Sequence, residues 1–571
     1  MAESRGWGGG FQEAAAKGSS EGHVGDGPLQ SETMLGVVPV FVNAGAALLP
    51  AIVAALASVV AVFLKPRELW RICRARPHIP LLVIAVAAGL YFGISWLIAP
   101  AAPAEGRKSQ AASDRTDWAQ VAIRILEDRE RARLLGSAAS APAVAAATAS
   151  PANQGRAMIF RGDPARTGYG GGAAPVKLAA AWRYGEADTM YVSSPAVIGG
   201  SVFGASCLLD PPGNYGSVFC LDAASGKPRW VTQTFLDRKS GKEREFKGFF
   251  SSPAVSADGK YLVIGQGLHV DADCDLVCLE AATGRLVWRV PTPLHIEGSP
   301  AVDGDIAVAG AGAIEGPDHK ARGHPGVVLA VRLSDGAKLW ECRVNDPESS
   351  PVIADGVVYI GSGFNGSAVV ALRTATDEEL QRRGQDRILW KTATPHPATG
   401  AVTLADDLVL IGCGNGDYVF AAANPDGAVI ALDRKTGAVR WQVKMPDAVL
   451  GPIAVRDGKA ICPVRNGEVV ALDLKTGGEP RILWRQRVSG RSPILAGPGF
   501  TGGLVYAVSQ DGYMAVLDAA DGKVLEKHYI NAEGKPGELG LTVSSPAVVG
   551  GRVYVGSETG GVWCFVGQES R

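Results

Sequence analysis

The last three-quarters of this chain predict an all-β fold, an eight-bladed β-propeller, preceded by a two-helix transmembrane hairpin and a linker. Three observations predict it. A phrase of the form Ala-Leu-Asp-x-x-Thr-Gly-x-x-x-Trp recurs. A second phrase, Ser-Ser-Pro-Ala-Val, alternates with it, and two long uncharged runs precede the first copy.

The cleanest first phrase is Ala431-Leu432-Asp433-Arg434-Lys435-Thr436-Gly437-Ala438-Val439-Arg440-Trp441. Matching copies end at Trp230, Trp288 and Trp340; stretched copies reach Trp390 and Trp484. A worn copy, Leu517-Asp518 with Asp521-Gly522, carries Glu526 where Trp is due. With Trp182, seven of the twelve Trp share this phase, so chance placement is a poor explanation. The period, roughly 42 to 58 residues, belongs to propeller blades rather than helical solenoids. Physically, a short apolar strand ends at Ala-Leu, Asp433 accepts hydrogen bonds from turn amides, and Gly437 takes a positive φ. The next strand carries Trp441 outward, where an indole buries on the order of 200 Å² against the neighbouring blade.

The second phrase opens each unit: Ser193-Ser194-Pro195, Ser251-Ser252-Pro253, Ser299-Pro300, Ser349-Ser350-Pro351, Gly451-Pro452, Ser492-Pro493 and Ser544-Ser545-Pro546. A β-branched strand follows, so each unit reads as four short strands. Seven units are complete. The eighth runs from Ser544 to Phe565 without a Trp strand, and Ala179-Ala180-Ala181-Trp182-Arg183 supplies the missing one from the other end of the domain. The propeller therefore covers residues 157–571.

This phrase resembles the tryptophan-docking motif of the pyrroloquinoline-quinone (PQQ)-like propellers, a family that holds quinoprotein alcohol dehydrogenases and BamB-type lipoproteins of outer-membrane assembly. Phe160-Arg161-Gly162-Asp163-Pro164-Ala165-Arg166-Thr167-Gly168 is similar to the entry segment of many such propellers and is read as a structural wrap. The dehydrogenases carry adjacent cysteines over the quinone, Glu, Asn and Asp ligands for Ca²⁺, and a catalytic Asp. This chain has no Cys-Cys pair, and the Ca²⁺ set finds no residue-by-residue match. No catalytic, cofactor-binding or metal residue is assigned, and the sequence does not support PQQ or Ca²⁺. The resemblance implies a membrane-anchored, non-catalytic binding or scaffold propeller; the alternative is a divergent membrane-bound quinoprotein oxidoreductase. BamB-type proteins are usually lipoproteins, whereas this chain has two apparent spans and no lipobox.

Ahead of the propeller, residues 1–33 are rich in Gly, Ser and Glu and are expected to be disordered. Residues 34–64 and 81–100 form the uncharged runs, each with about the 20 residues that cross ~30 Å of hydrocarbon. The loop 65–80 holds five Lys or Arg against one Glu, which puts it in the cytoplasm. The propeller then lies on the periplasmic side of the inner membrane. In the segment 101–156, Thr116 to Leu135 reads as a helix, followed by an Ala/Pro/Ser linker. A net charge of −1 over 571 residues gives no support for a nucleic-acid partner.

Cys220, Cys278 and Cys564 take the Ala position of the phrase, as small buried thiols can. Cys207 with Cys220, and Cys274 with Cys278, are candidate pairs for an oxidising compartment. His269, Asp271, Asp273 and Asp275 crowd one connection without the spacing of a calcium loop, and His319 and His324 lie in a Gly-rich insertion. Long insertions gather on the rim formed by the second-to-third-strand and inter-blade connections, where recognition usually resides. On that rim Arg238, Lys239, Lys242 and Arg244 form a net basic stretch suited to an acidic protein partner.

Overall fold

The computed structural model describes residues 160–571, apart from 169, 187–188, 211–212, 238–239, 269–270, 314–322, 420, 491, 533–541 and 569–571. The two predicted spans, the basic loop and the Thr116–Leu135 helix lie outside the described residues. Among the described residues no helix is long and apolar enough to cross a membrane.

Eight four-stranded antiparallel sheets follow one another. Blade 1 consists of Ala196–Ile198, Ser201–Ala205, Val218–Asp222 and Pro228–Thr232. Blades 2 to 7 begin at Ala254–Val255, Ala301–Asp303, Val352–Ala354, Thr403–Ala405, Ala454–Arg456 and Gly499–Thr501. Blade 8 takes Ala547–Val549, Arg552–Ser557 and Gly561–Gly567 from the C-terminus and Leu178–Tyr184 from the N-terminal side, where Trp182 pairs with Cys564. First strands meet at six of the eight seams, including that of blades 8 and 1, and the Ser194 and Val402 amides donate across the other two to Ser252 Oγ and Ser350 O, so the ring is closed and the first strands line its axis.

The repeat phrase owes its residue types to register. The Ala or Cys position stands directly opposite the Trp: Cys220 with Trp230, Cys278 with Trp288, Ala330 with Trp340, Ala371 with Trp390, Ala431 with Trp441 and Ala471 with Trp484. Immediately afterwards the ladder slips at a bulge in each pair, which re-aims the indole. A larger residue opposite would occupy the space the indole needs.

The Ser-Ser-Pro phrase is a lace between blades. The N–H of Gly497 donates to Ser545 Oγ at 3.0 Å, Ser545 to Ser194 at 2.9 Å, and Ser194 to Ser252 at 2.9 Å. Ser252 then donates to Ser299 at 2.9 Å and Ser299 to Ser350 at 2.8 Å. The chain of bonds joins blades 7, 8, 1, 2, 3 and 4 near the axis, where buried main-chain donors need partners.

Candidate functional site

Six of the tryptophans assigned from the sequence reach across to the following blade through the indole N–H. Trp182 donates to Ala223 O at 3.1 Å, Trp230 to Ala281 at 3.0 Å and Trp288 to Leu333 at 2.7 Å. Trp340 donates to Thr374 at 3.0 Å, Trp390 to Arg434 at 3.2 Å and Trp484 to Ala519 at 3.2 Å. Trp441 is buried in the core between blades 5 and 6. The indoles lie against the turn glycine of the next phrase: a Cβ on Gly226 would come within 2.5 Å of Trp182, and one on Gly437 within 2.6 Å of Trp390. Where blade 4 replaces the tight turn by a helix, α1 (Asp377–Arg383), the Arg387 guanidinium covers Trp340 instead, 4.4 Å from its ring. The worn phrase is compensated too. Beside Glu526, His528 packs edge-on against Phe565 at 4.6 Å, and Trp563 donates to Ile530 O at 2.6 Å. These side chains are committed to holding blades together.

The axis is occupied by protein. The described residues 160–168 and 170–171, the wrap expected from the sequence, form a plug in the channel. Its carbonyls accept from the first strands and the turn after one of them: Ala165 from Leu404, Thr167 from Val455, Gly168 from Phe500 and Gly171 from Gly550. Arg166 crosses to blade 3 and donates to Ser299 O and Pro300 O at 3.0 and 2.8 Å. At the other end, the blade 5 loop sets Tyr418 over the mouth. Its hydroxyl donates to Leu450 O at 3.2 Å, and its carbonyl accepts from Gln510 of blade 7. Burial, with Glu297 and Glu348 nearby, pushes the Tyr418 phenol well above its ordinary value.

Beside that mouth His295, Glu297 and Glu348 bring their ligand atoms within 4.8 Å of one another, with His295 Nε2 3.1 Å from Glu348 Oε1. A Cβ on Gly312 would strike both His295 and Glu348. Two of these residues stand just ahead of the Ser-Pro phrases of blades 3 and 4, at Glu297-Gly298-Ser299 and Glu348-Ser349-Ser350. That shared phase was the signal by which the sequence could have revealed them. Two of the carboxylates singled out earlier have structural partners: Asp275 ion-pairs Arg289 at 2.8 Å, and Asp271 accepts from Asn214 at 2.7 Å and Leu268 N at 2.7 Å. His269 and His319 lie outside the described residues.

The candidate cysteine pairs do not form; all eight described cysteines are free. Cys274 and Cys278 sit four residues apart on one strand, Cys274–Glu280, which separates them by about 13 Å. Cys220 pairs with Phe203, four residues short of Cys207, a similar gap. A disulfide needs Cα atoms roughly 4.4–6.8 Å apart.

The long-loop rim is a built surface over blades 1 and 2. Leu208–Asp210 pairs with Gly213–Tyr215, and Thr234–Asp237 with Lys242–Glu245. Phe235 stacks on Phe246 at 5.0 Å, and Phe249 meets Phe246 edge-on at 5.6 Å, beneath the second hairpin. Asn214 bonds both Asp271 and Gly248 N, and Lys247 bonds Ala272 O, so three connections interlock. Lys242 and Arg244 are exposed on the outer strand of the hairpin, alternating with Glu243 and Glu245. Side chains two apart share a face, so the basic and acidic pairs fall on opposite faces. Arg244 is 4.0 Å from Asp237. Arg238 and Lys239 lie outside the described residues.

Between the plug and blades 8 and 1 the structure leaves a cavity of about 20 Å³, the space of one or two water-sized species.

Residues 179–428 and 425–571 match the family model described as "Outer membrane protein assembly factor BamB". The chain is 23% identical over 379 residues to outer membrane protein assembly factor BamB of Yersinia pestis, covering 65% of this chain and 83% of that protein. It is 25% identical over 368 residues to tetrathionate hydrolase of Acidithiobacillus ferrooxidans, covering 52% and 70%. The quinohemoprotein alcohol dehydrogenase of Comamonas testosteroni shares the fold, with TM-score 0.52, 18% identity, and 73% and 81% of the two chains covered.

Proposed function

Because the chain belongs to the propeller family whose model is described as outer membrane protein assembly factor BamB, we propose that its ring is a non-catalytic binding scaffold of the cell envelope. The interlocked rim over blades 1 and 2 carries this reading. It presents long connections on a rigid base, while the ring interior is spent on plug and lace. Its occupant is a protein of envelope assembly, by analogy with the relatives named for that role. An acidic partner face would meet Lys242 and Arg244, with Arg238 and Lys239 extending the same stretch. The uncharged runs at 34–64 and 81–100 anchor the ring to the inner membrane and hold it on the periplasmic side.

The test is capture of partners from solubilised membranes with the full chain. Lys242→Glu with Arg244→Glu should reduce capture with an unchanged melting temperature. Charge reversal of Arg382 and Arg383 on α1, on the opposite rim, should do less; the reverse ranking would put binding on that rim. For the anchor, alkaline phosphatase fused after residue 571 should be active, and a cytoplasmic reporter at the same point inactive.

A second reading, a divergent quinoprotein oxidoreductase, draws on the His295–Glu297–Glu348 cluster at the channel mouth. Reconstitution with PQQ and Ca²⁺ tests it: stoichiometric quinone binding with alcohol oxidation would favour the enzyme over the scaffold.

A further inference from the structure

We propose that the propeller channel holds a small inorganic anion of the halide class against Arg161. Arg161 is 6% exposed, and all three of its guanidinium nitrogens are buried with no hydrogen-bond acceptor among the described residues. A guanidinium does not shed its proton at neutral pH; burial lowers this one only to about 9. A buried cation without a partner is strongly unfavourable.

The surroundings make the demand greater. Arg166, also fully buried, lies close enough to depress further its own proton affinity through Arg161, and its Nη1 has no acceptor either. Asp163 is the carboxylate near Arg161, but it accepts from the Thr167 amide and hydroxyl. Gly168 and Gly497 leave no room for a side-chain acceptor: a Cβ on either would fall within 2.6 Å of the guanidinium.

A cavity adjoins this cation. Arg161, Gly168, Gly170, Ser194 and Ser545 contribute to its walls, and it measures about 20 Å³. A water-sized species needs roughly 10–15 Å³ by the same measure, so one or two fit. That excludes a metabolite carboxylate or a phosphate group and admits chloride. The Ser194 and Ser545 hydroxyls each accept a main-chain N–H of the lace, which leaves their protons to donate. One cation and two hydroxyl donors around a small space suit a monatomic anion.

The test uses the full chain in detergent, with bromide and chloride as probes. Crystals grown in bromide should give an anomalous peak in hydrogen-bond range of the Arg161 guanidinium. The melting temperature should rise steadily with the logarithm of halide concentration, at an ionic strength held constant with isethionate, which is too large for the cavity. Arg161→Gln should lose both the peak and the halide dependence. The wild-type measurements decide the matter even if that variant fails to fold. A melting temperature equal in bromide and isethionate, with water alone in the cavity, overturns the proposal. A bromide peak with no effect on melting would mean an adventitious ion only, and would overturn it as well.

Discussion

Gly226 and Gly477 hold the same place in the repeat phrase, and both have positive φ, 69° and 72°. They differ in what lies above them. A Cβ on Gly226 would press into Trp182, whereas one on Gly477 meets nothing within 4 Å. Gly477→Ala should cost only the left-handed strain, about 1–2 kcal/mol. Gly226→Ala should cost roughly 1–3 kcal/mol more, because the indole must shift; denaturant unfolding measures the difference, and equal losses would mean the indole contact is weak. The turn conformation of these glycines was legible in the sequence because it is local. That the indole packs on the neighbouring blade was also legible, but that it rests on this glycine was not, because the two lie more than forty positions apart. A second residue-level expectation concerns His528. Burial holds its proton affinity below the ordinary 6.5, with Glu526 opposing, so the unfolded chain binds the proton more readily. Its contribution to stability is complete above about pH 6.5 and is lost as pH falls through the depressed folded value. Melting temperature should drop on acidification toward about pH 5, and His528→Phe should flatten that dependence.

Helix α1 shows how an insertion is reconciled with the repeat. Thr376 and Glu379 form a reciprocal capping box, and Gly384 ends the helix in the left-handed region. Both follow the sequence rules for helix ends, although the repeat reading registered this stretch only as a stretched copy reaching Trp390. The helix delivers Arg387, which covers Trp340, pairs with Asp377 at 2.6 Å and donates to Arg373 O at 2.5 Å. Arg387→Ala should therefore destabilise blade 4 by about 1–3 kcal/mol, read by unfolding followed through tryptophan fluorescence. Arg387→Lys should recover only part, since an ammonium cannot both stack and fork. The Ser-Ser-Pro lace teaches a related lesson. Recurrence marked the serines as important, but a hydroxyl that accepts from the next blade's main chain is a tertiary fact with no local trace.

At the scale of the ring, closure by both ends was legible because a strand was missing at one end and spare at the other. Deleting residues up to 185 removes that strand and the plug, and should lower the melting temperature of the whole ring. Trp182→Ala should cost about 3 kcal/mol, the low end for a buried Trp because this indole is half-buried. A deletion to 185 that melts like the full chain would contradict the shared blade. The plug escaped the sequence reading because it has no apolar period and binds through its carbonyls. Those carbonyls meet blades 5, 6, 7 and 8 in succession, at Ala165, Thr167, Gly168 and Gly171, while Arg166 reaches back to blade 3. The plug is thus a gauge of circumference. Repeat proteins drift in evolution by duplicating or losing a unit, but a seven- or nine-bladed descendant of this ring would set its inner strands out of step with a spindle cut for eight.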